Sequence, residues 1–501
     1  MHYFPRKNKK WLALTVLTIL LSSCQGLTTS VNTSDTNSIS KPVIKENTML
    51  HFTFPLNDSE NYPNPYIGDV HPYYDQKTEM WYMYYLDTTG QFNSKLLTSK
   101  DGITWTENTD FWIHSSLANY GVLNIFEKDG TYYSYYHDFH TSKSTDLINW
   151  YYAGGEYQIP QDKAQFPGGM RDPSVTYDET TNAYYAIGLN YTRRVPAEGI
   201  YQSNLAITKS IGDNQLAWEP NHLKVFTNDP MSKDFECPQL VKIGRRWYVV
   251  ASQYGNSVHG VGKTSYLIGD VDKNPYEVDW QSKPLNSLTT EDLCAAQIAK
   301  KDDKFYIFGW IPRDYNAGFW GGFINLPTEV YALADGSLAT RLEPIVGAKL
   351  TGENVDSMTT KTTLNSGQEL ELDIYLRFDN EYKFEINAGA ILELRQKENS
   401  YRIIITNTIN KPTVQVFAGT YQCFNYELRP GALNGINNLR VIGEGKNLEL
   451  ELNDTYVLTS RIARSLTLDG EIDTNIIRSL QGQINIISVS SNKLNFLAEI
   501  Q

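Results

Sequence analysis

The sequence predicts an all-β protein, a five-bladed β-propeller followed by a C-terminal β-sandwich. Three observations carry that expectation. Short aromatic runs recur at intervals of 51, 52, 63 and 58 residues, a common turn signature follows several of them, and the composition changes near residue 340.

The aromatic runs are Trp81-Tyr82-Met83-Tyr84-Tyr85, Tyr132-Tyr133-Ser134-Tyr135-Tyr136, Tyr184-Tyr185-Ala186-Ile187-Gly188, Trp247-Tyr248-Val249-Val250-Ala251 and Phe305-Tyr306-Ile307-Phe308-Gly309. Aromatic and β-branched residues favour strands, and turns such as Glu127-Lys128-Asp129-Gly130 precede most of the runs. Ser99 to Trp105 and Ser144 to Trp150 share the pattern S-x-D-x-x-x-W, and Ser210 to Trp218 is a looser copy. A repeat of this length holding several short strands reads as one propeller blade. Residues 48–340 are therefore assigned to the propeller.

Beyond residue 340 the pattern differs. All ten Trp lie at or before Trp320, and only six Tyr follow residue 340. Alternating runs take over, among them Tyr401-Arg402-Ile403-Ile404-Ile405 and Leu448-Glu449-Leu450-Glu451-Leu452. Period-two alternation marks antiparallel strands with one buried face, so residues 341–501 read as a β-sandwich.

Ahead of the propeller stands a targeting segment. Arg6, Lys7, Lys9 and Lys10 precede an apolar run from Trp11 to Leu21, short for a membrane span. Leu21-Ser22-Ser23-Cys24 resembles a bacterial lipoprotein box, which implies a signal peptide over residues 1–24 and lipid on Cys24. Residues 25–47, rich in Ser, Thr and Asn, read as a flexible tether. The expected location is the cell envelope, at the surface or in the periplasm, with membrane contact only through the anchor. Cys237, Cys294 and Cys423 are too scattered for a zinc site and too few for a disulfide framework. They read as buried thiols, with at most one bridge among them.

The net charge of −13 argues against nucleic acid and anionic membrane surfaces as partners, and is compatible with a neutral ligand. An aromatic content of 13% suits both β cores and ligands with flat apolar faces, such as sugars. No phosphate-cradling glycine loop or metal-ligand spacing is visible, so no cofactor and no metal are expected. The chain is expected to act as a monomer.

Three acidic residues occupy similar places. Asp69 in Gly68-Asp69-Val70-His71-Pro72, Asp172 in Arg171-Asp172-Pro173 and Glu236 in Glu236-Cys237-Pro238 lie 12, 12 and 11 residues before an aromatic run. Singly, each fits a turn or strand-end residue. Together, equivalent blade positions would gather them at one end of a central channel. Glycosidic hydrolysis needs such a set: an acid to protonate the leaving oxygen, and a carboxylate to attack the anomeric carbon or activate water. A third can hold ring hydroxyls. Glu236, hemmed in by apolar neighbours, has the setting of a general acid. Trp112, Trp310 and Trp320 are candidates to stack on a sugar face, and His71 and His137-Asp138 to bind a hydroxyl.

The order Gly68-Asp69, Arg171-Asp172-Pro173, Glu236-Cys237-Pro238 and Phe319-Trp320-Gly321-Gly322-Phe323-Ile324-Asn325-Leu326-Pro327 resembles glycoside hydrolase family 32. That family contains the β-fructofuranosidases, invertases, levanases and inulinases among them, and joins a five-bladed propeller to a β-sandwich. The resemblance implies a retaining mechanism with Asp69 as nucleophile and Glu236 as general acid/base. Asp172, with Arg171 beside it, would hold fructosyl hydroxyls. The usual nucleophile motif is missing; Asn57-Asp58-Ser59-Glu60-Asn61 echoes it and makes Asp58 a rival to Asp69. Glu329 also stands where the family usually has Arg, which bears on the aglycone side. Two other readings stay open: an inverting five-bladed propeller glycosidase of arabinosidase or galactosidase type, and a surface glycan-binding lipoprotein without turnover.

Overall fold

The computed structural model describes residues 67–87, 94–114, 122–136, 140–153, 170–195, 200–213, 215–218, 223–226, 234–254, 261–312, 321–466 and 472–494. Cys24, Asp58, His137-Asp138 and Trp320 lie outside them. The described residues are mostly in strands, and each aromatic run is the second strand of its own antiparallel meander.

The first meander comprises Ile67–Asp75, Met80–Asp87, Ser94–Ser99 and Thr106–Glu107. The second comprises Ile125–Lys128, Thr131–Tyr136, His140–Ser144 and Asn149–Tyr152, with Trp112–His114 added in parallel at its far edge. Met170–Asp178, Ala183–Val195, Ile200–Lys209 and Lys224–Phe226 form the third. Asp234–Ile243, Arg246–Tyr254, Val261–Ile268 and Asn286–Ser287 form the fourth. Cys294–Lys301, Lys304–Pro312, Thr328–Ala332 and Leu338–Leu342 form the last. Gly322–Ile324 pairs with both Lys304–Pro312 and Ile67–Asp75, so the first and last meanders share one sheet.

The S-x-D-x-x-x-W signature is the turn between third and fourth strands. Asp101 Oδ1 accepts from the N–H groups of Ile103 and Thr104, both at 2.8 Å, and Ser99 Oγ accepts from Gly102 N at 2.9 Å. Asp146 and Ser144 repeat the arrangement with Ile148, Asn149 and Leu147. Side-chain oxygens thus bind the amides that the turn leaves unpaired. Trp105 and Trp150 then enter the core. The looser copy closes differently, through a single bridge between Ser210 and Trp218.

The C-terminal part has two six-stranded sheets, one built around Phe378–Ile386, Ile436–Leu452 and Gln483–Leu494, the other around Ile391–Gln396, Arg402–Thr406 and Ile472–Gln481. Both feed one apolar core in which Phe378, Phe384, Ile403, Ile405, Val416 and Ile484 are fully buried. Alternation holds as expected along Tyr401 to Ile405.

Along Leu448 to Leu452 it does not. Glu449 is buried as fully as its leucine neighbours, because the other face of this hairpin packs against the N-terminal part. Glu449 Oε1 accepts from Leu326 N at 2.8 Å, and Glu451 Oε1 from Leu342 N at 2.7 Å. Nearby, Arg461 Nη2 donates to the buried Asp292 at 2.6 Å, and Ser460 Oγ to the same carboxylate at 3.2 Å. Breaking a buried pair leaves a charge uncompensated. Replacing Arg461 by Leu is therefore expected to lower stability by about 3–5 kcal/mol, read as a fall in the urea unfolding midpoint.

Candidate active site

Four first strands carry the same irregularity. Their ladders slip between Gly68 and His71, Arg171 and Ser174, Glu236 and Gln239, and Cys294 and Gln297. Within each bulge one residue has positive φ: Asp69 at 40°, Asp172 at 49°, Cys237 at 52° and Ala295 at 46°. A bulge inserts one residue and re-aims the side chains around it. Pro173 and Pro238 follow the left-handed residue, and proline, lacking an N–H, is tolerated within strands at bulges. R-D-P and E-C-P are therefore two versions of one backbone device.

The register also corrects the equivalence drawn from the intervals. Asp69 and Asp172 match each other, but their counterpart in the fourth meander is Cys237. Glu236 stands one place earlier, opposite Arg171 in the alignment of bulges; its interval is nevertheless shorter, because the turn between first and second strands is two residues shorter in the fourth meander (244–245) than in the third (179–182).

The bulges bring the charged groups together. Arg171 Nη2 donates to Glu236 Oε1 at 2.6 Å, and its Nε lies 3.4 Å from Asp172 Oδ2. Asp172 Oδ2 also accepts from Cys237 N at 3.3 Å. Trp310 Nε1 donates to Asp69 Oδ1 at 3.4 Å. Glu236 and Asp172 keep 14% and 21% side-chain exposure, so the cluster is recessed in dense protein yet reached by solvent.

That setting raises proton affinity. Burial, followed by the negative charges of Glu236 and Asp172, pushes Asp69 up to about 7, while Trp310 and Arg171 pull the other way. Burial also raises Glu236; Arg171 opposes it and Asp172 adds to it. Closely spaced carboxylates cannot all ionise cheaply, and their protons belong to the set rather than to one member. Burial holds His71 down to about 4, against the attraction of Asp172, so it is neutral near pH 7. Burial lifts the thiols of Cys237 and Cys294 well above their ordinary range, which makes them packing groups. The three cysteines among the described residues are free and buried, as expected.

The remaining candidates separate. Trp310 is fully buried beside Cys237, Cys294 and Ala295, where it meets Asp69 and has no open face for a sugar. Trp112 is 62% exposed on the far edge strand of the second sheet. Four strand spacings, about 19 Å, separate it from the first strand of that meander. His71 is buried just past the Asp69 bulge. Glu329 lies in the third strand of the last meander, its oxygens held by Arg341 at 2.9 and 3.0 Å.

Sequence reasoning missed the layer next to the bulges. Asn124, Gln239 and Gln297 are buried there and joined by hydrogen bonds across neighbouring sheets. The available signal was positional: Gln239 and Gln297 each occupy the residue after a bulge, the place of His71 and Ser174 in the other two.

An all-β architecture with a recessed carboxylate cluster on bulged strands has the groups that glycoside hydrolysis needs, and the family comparison points to the glycoside hydrolases. Residues 151–330, which hold both R-D-P and E-C-P, match the model of the glycosyl hydrolases family 32 N-terminal domain. The resemblance carried by those motifs thus holds, in a divergent sequence. Solved structures share the fold. A GH32 β-fructofuranosidase of Bombyx mori is 17% identical with a TM-score of 0.62, covering 89% of this chain and 94% of that one. The fructofuranosidase of Schwanniomyces occidentalis, solved with fructose, is 14% identical with a TM-score of 0.64, over 90% and 98%. Fructan 1-exohydrolase IIa of Cichorium intybus is 12% identical with a TM-score of 0.61, over 90% and 98%.

The raised carboxylates make a stability prediction with a definite sign. The folded pKa of Asp69 lies above its ordinary value of 3.8, so stability is full below about pH 4 and is lost as pH rises through about 7. Asp69→Asn removes that penalty. It is expected to raise the melting temperature at pH 8 and to leave it unchanged at pH 4; equal shifts at both would contradict the assignment.

Proposed function

We propose that the protein is a retaining β-fructofuranosidase that releases fructose from levan, inulin or smaller fructosides. The observation that carries this reading is the convergence of Asp69, Asp172 and Glu236 on adjoining bulges, with Arg171 joining the last two. Asp69 attacks the anomeric carbon while Glu236 protonates the leaving oxygen, and the glycosidic bond breaks to leave a fructosyl ester on Asp69. Glu236 then takes a proton from water, which attacks the same carbon and frees Asp69. Asp172 accepts hydrogen bonds from fructosyl hydroxyls.

Catalysis needs one proton in the cluster, on Glu236. Without substrate, Arg171 favours the ionised form of Glu236, against the effect of burial. A substrate hydroxyl that draws Arg171 off Glu236 reverses that preference, so binding itself prepares the acid and the nucleophile.

The proposed architecture is a five-bladed propeller over residues 48–340 braced by a sandwich over 341–501. The sheet shared by the first and last meanders supports a closed ring, because joining first and last blades is what closure requires. The lipoprotein box supports export and anchoring at Cys24.

Three outcomes are expected. Glu236→Gln should lower kcat on sucrose, inulin and levan by about 10²–10⁴-fold; undiminished release of fructose would sink the assignment. The pH profile of kcat/KM should be bell-shaped, its alkaline limb falling near pH 7 as the last proton leaves the cluster. In detergent phase separation the protein should follow the detergent, and Cys24→Ser should follow water.

A further inference from the structure

The left-handed residue beside Glu236 is a cysteine, which has no side-chain means of stabilising that backbone shape. Such a conformation is strained for an ordinary L-residue and persists only where its surroundings hold it. At Cys237 two groups from other strands hold it. Its N–H donates to Asp172 in the third meander. Its C=O accepts from Gln297 Nε2, in the last meander, at 2.9 Å. The peptide groups on both sides of the strained residue are thus gripped from different sheets.

Gln297 is itself fixed. Gln239, two residues beyond Cys237, accepts from Ile298 N at 2.6 Å and donates to Ile298 O at 3.1 Å. The two glutamines therefore cross-link the same pair of strands in opposite directions, with three hydrogen bonds over four residues. Gln239 also donates to Asn124 Oδ1 at 2.9 Å, and Asn124 Nδ2 donates to Pro173 O at 3.2 Å, within the bulge of Asp172. All three amide side chains are buried, where a hydrogen bond is costly to lose.

We infer that Gln297 is a positioning residue for Glu236: its amide holds the Cys237 carbonyl and so fixes the bulge that aims the acid at the leaving oxygen. The inference rests on the proposed hydrolase reading and adds to it a residue that touches neither substrate nor the reacting atoms. Neither family motif contains it.

The test uses the full chain acting on sucrose and inulin. Gln297→Met keeps the length and cannot donate; it should lower kcat about 10- to 100-fold, with KM within about threefold, and displace the pH profile as Glu236 shifts against Arg171. Gln297→Glu matches the shape. Its protonated carboxyl donates to Cys237 O and its carboxylate cannot, so activity should be kept at acid pH and lost as pH rises, with an ionisation absent from the parent. Unaltered kcat and pH profile in Gln297→Met overturn the inference, as does a Gln297→Glu profile parallel to the parent at every pH. Should Gln297→Met fail to fold, Gln297→Glu alone decides. A parent protein inactive on every fructoside overturns the hydrolase reading, and this role with it; an active parent with unaltered variants overturns the positioning role alone.

Discussion

A left-handed residue in the middle of a β-strand needs a reason and a support. Here it occurs in four first strands, at Asp69, Asp172, Cys237 and Ala295, each time where the ladder slips. A regular strand would send successive side chains to opposite faces. The inserted residue breaks that alternation, which is how Arg171 and Asp172 can both take part in one polar cluster. The second strand packs closely onto such a bulge. At Gly309 a β-carbon would lie 2.9 Å from Cys294 O and from the Ala296 side chain, so the aromatic run must end in glycine there.

Support for the bulges and chemistry in the site come from overlapping groups. Asp172 accepts from the Cys237 amide and also faces Arg171, so one carboxylate steadies the backbone beside Glu236 and balances the guanidinium. Arg171 in turn keeps Glu236 from rising as far as burial alone would drive it. Asp69 has only the Trp310 N–H and the more distant guanidinium against burial and two negative neighbours, and it rises to about 7. Burial thus raises both carboxyls, and a single arginine opposes the rise in each.

Much of the fold was legible because local chemistry and global position agree. The aromatic runs are second strands, flanked on both sides, and so they read as apolar. The S-x-D-x-x-x-W copies are turns whose hydrogen bonds close within a few residues. Asp172 and Glu236 were legible through their neighbours, since Asp-Pro and Cys-Pro are the trace that a bulge leaves in sequence, whereas Asp69, followed by valine, was legible only through its interval to the aromatic run. What sequence could not supply was contact between strands far apart in the chain. Nothing around Trp310 says that it meets Asp69, 241 residues away. Gln297, flanked by alanine and isoleucine, reads as an ordinary strand residue until its partner across the strands is known. Trp112 shows the converse: a tryptophan reads as core or ligand platform, but its edge strand leaves it mostly exposed.

Glu449 shows why the C-terminal sheets belong to the same physical argument. By alternation it should face water, and it is instead buried with its carboxylate on Leu326 N. Leu326 follows Asn325, whose side chain accepts from Gly309 N at 2.8 Å and donates to Leu326 O at 2.7 Å. Gly309 precedes Trp310, which meets Asp69. On the other side, Gly322 pairs with Ile67, two residues before Asp69. A carboxylate in the C-terminal part therefore ends a short run of hydrogen bonds that begins at the proposed nucleophile. Glu449, Leu326, Asn325 and Trp310 are all buried, so movement of the Glu449 hairpin would leave the Leu326 amide unpaired beside the segment that holds Trp310 against Asp69. The two parts are coupled by the cost of an unmade hydrogen bond.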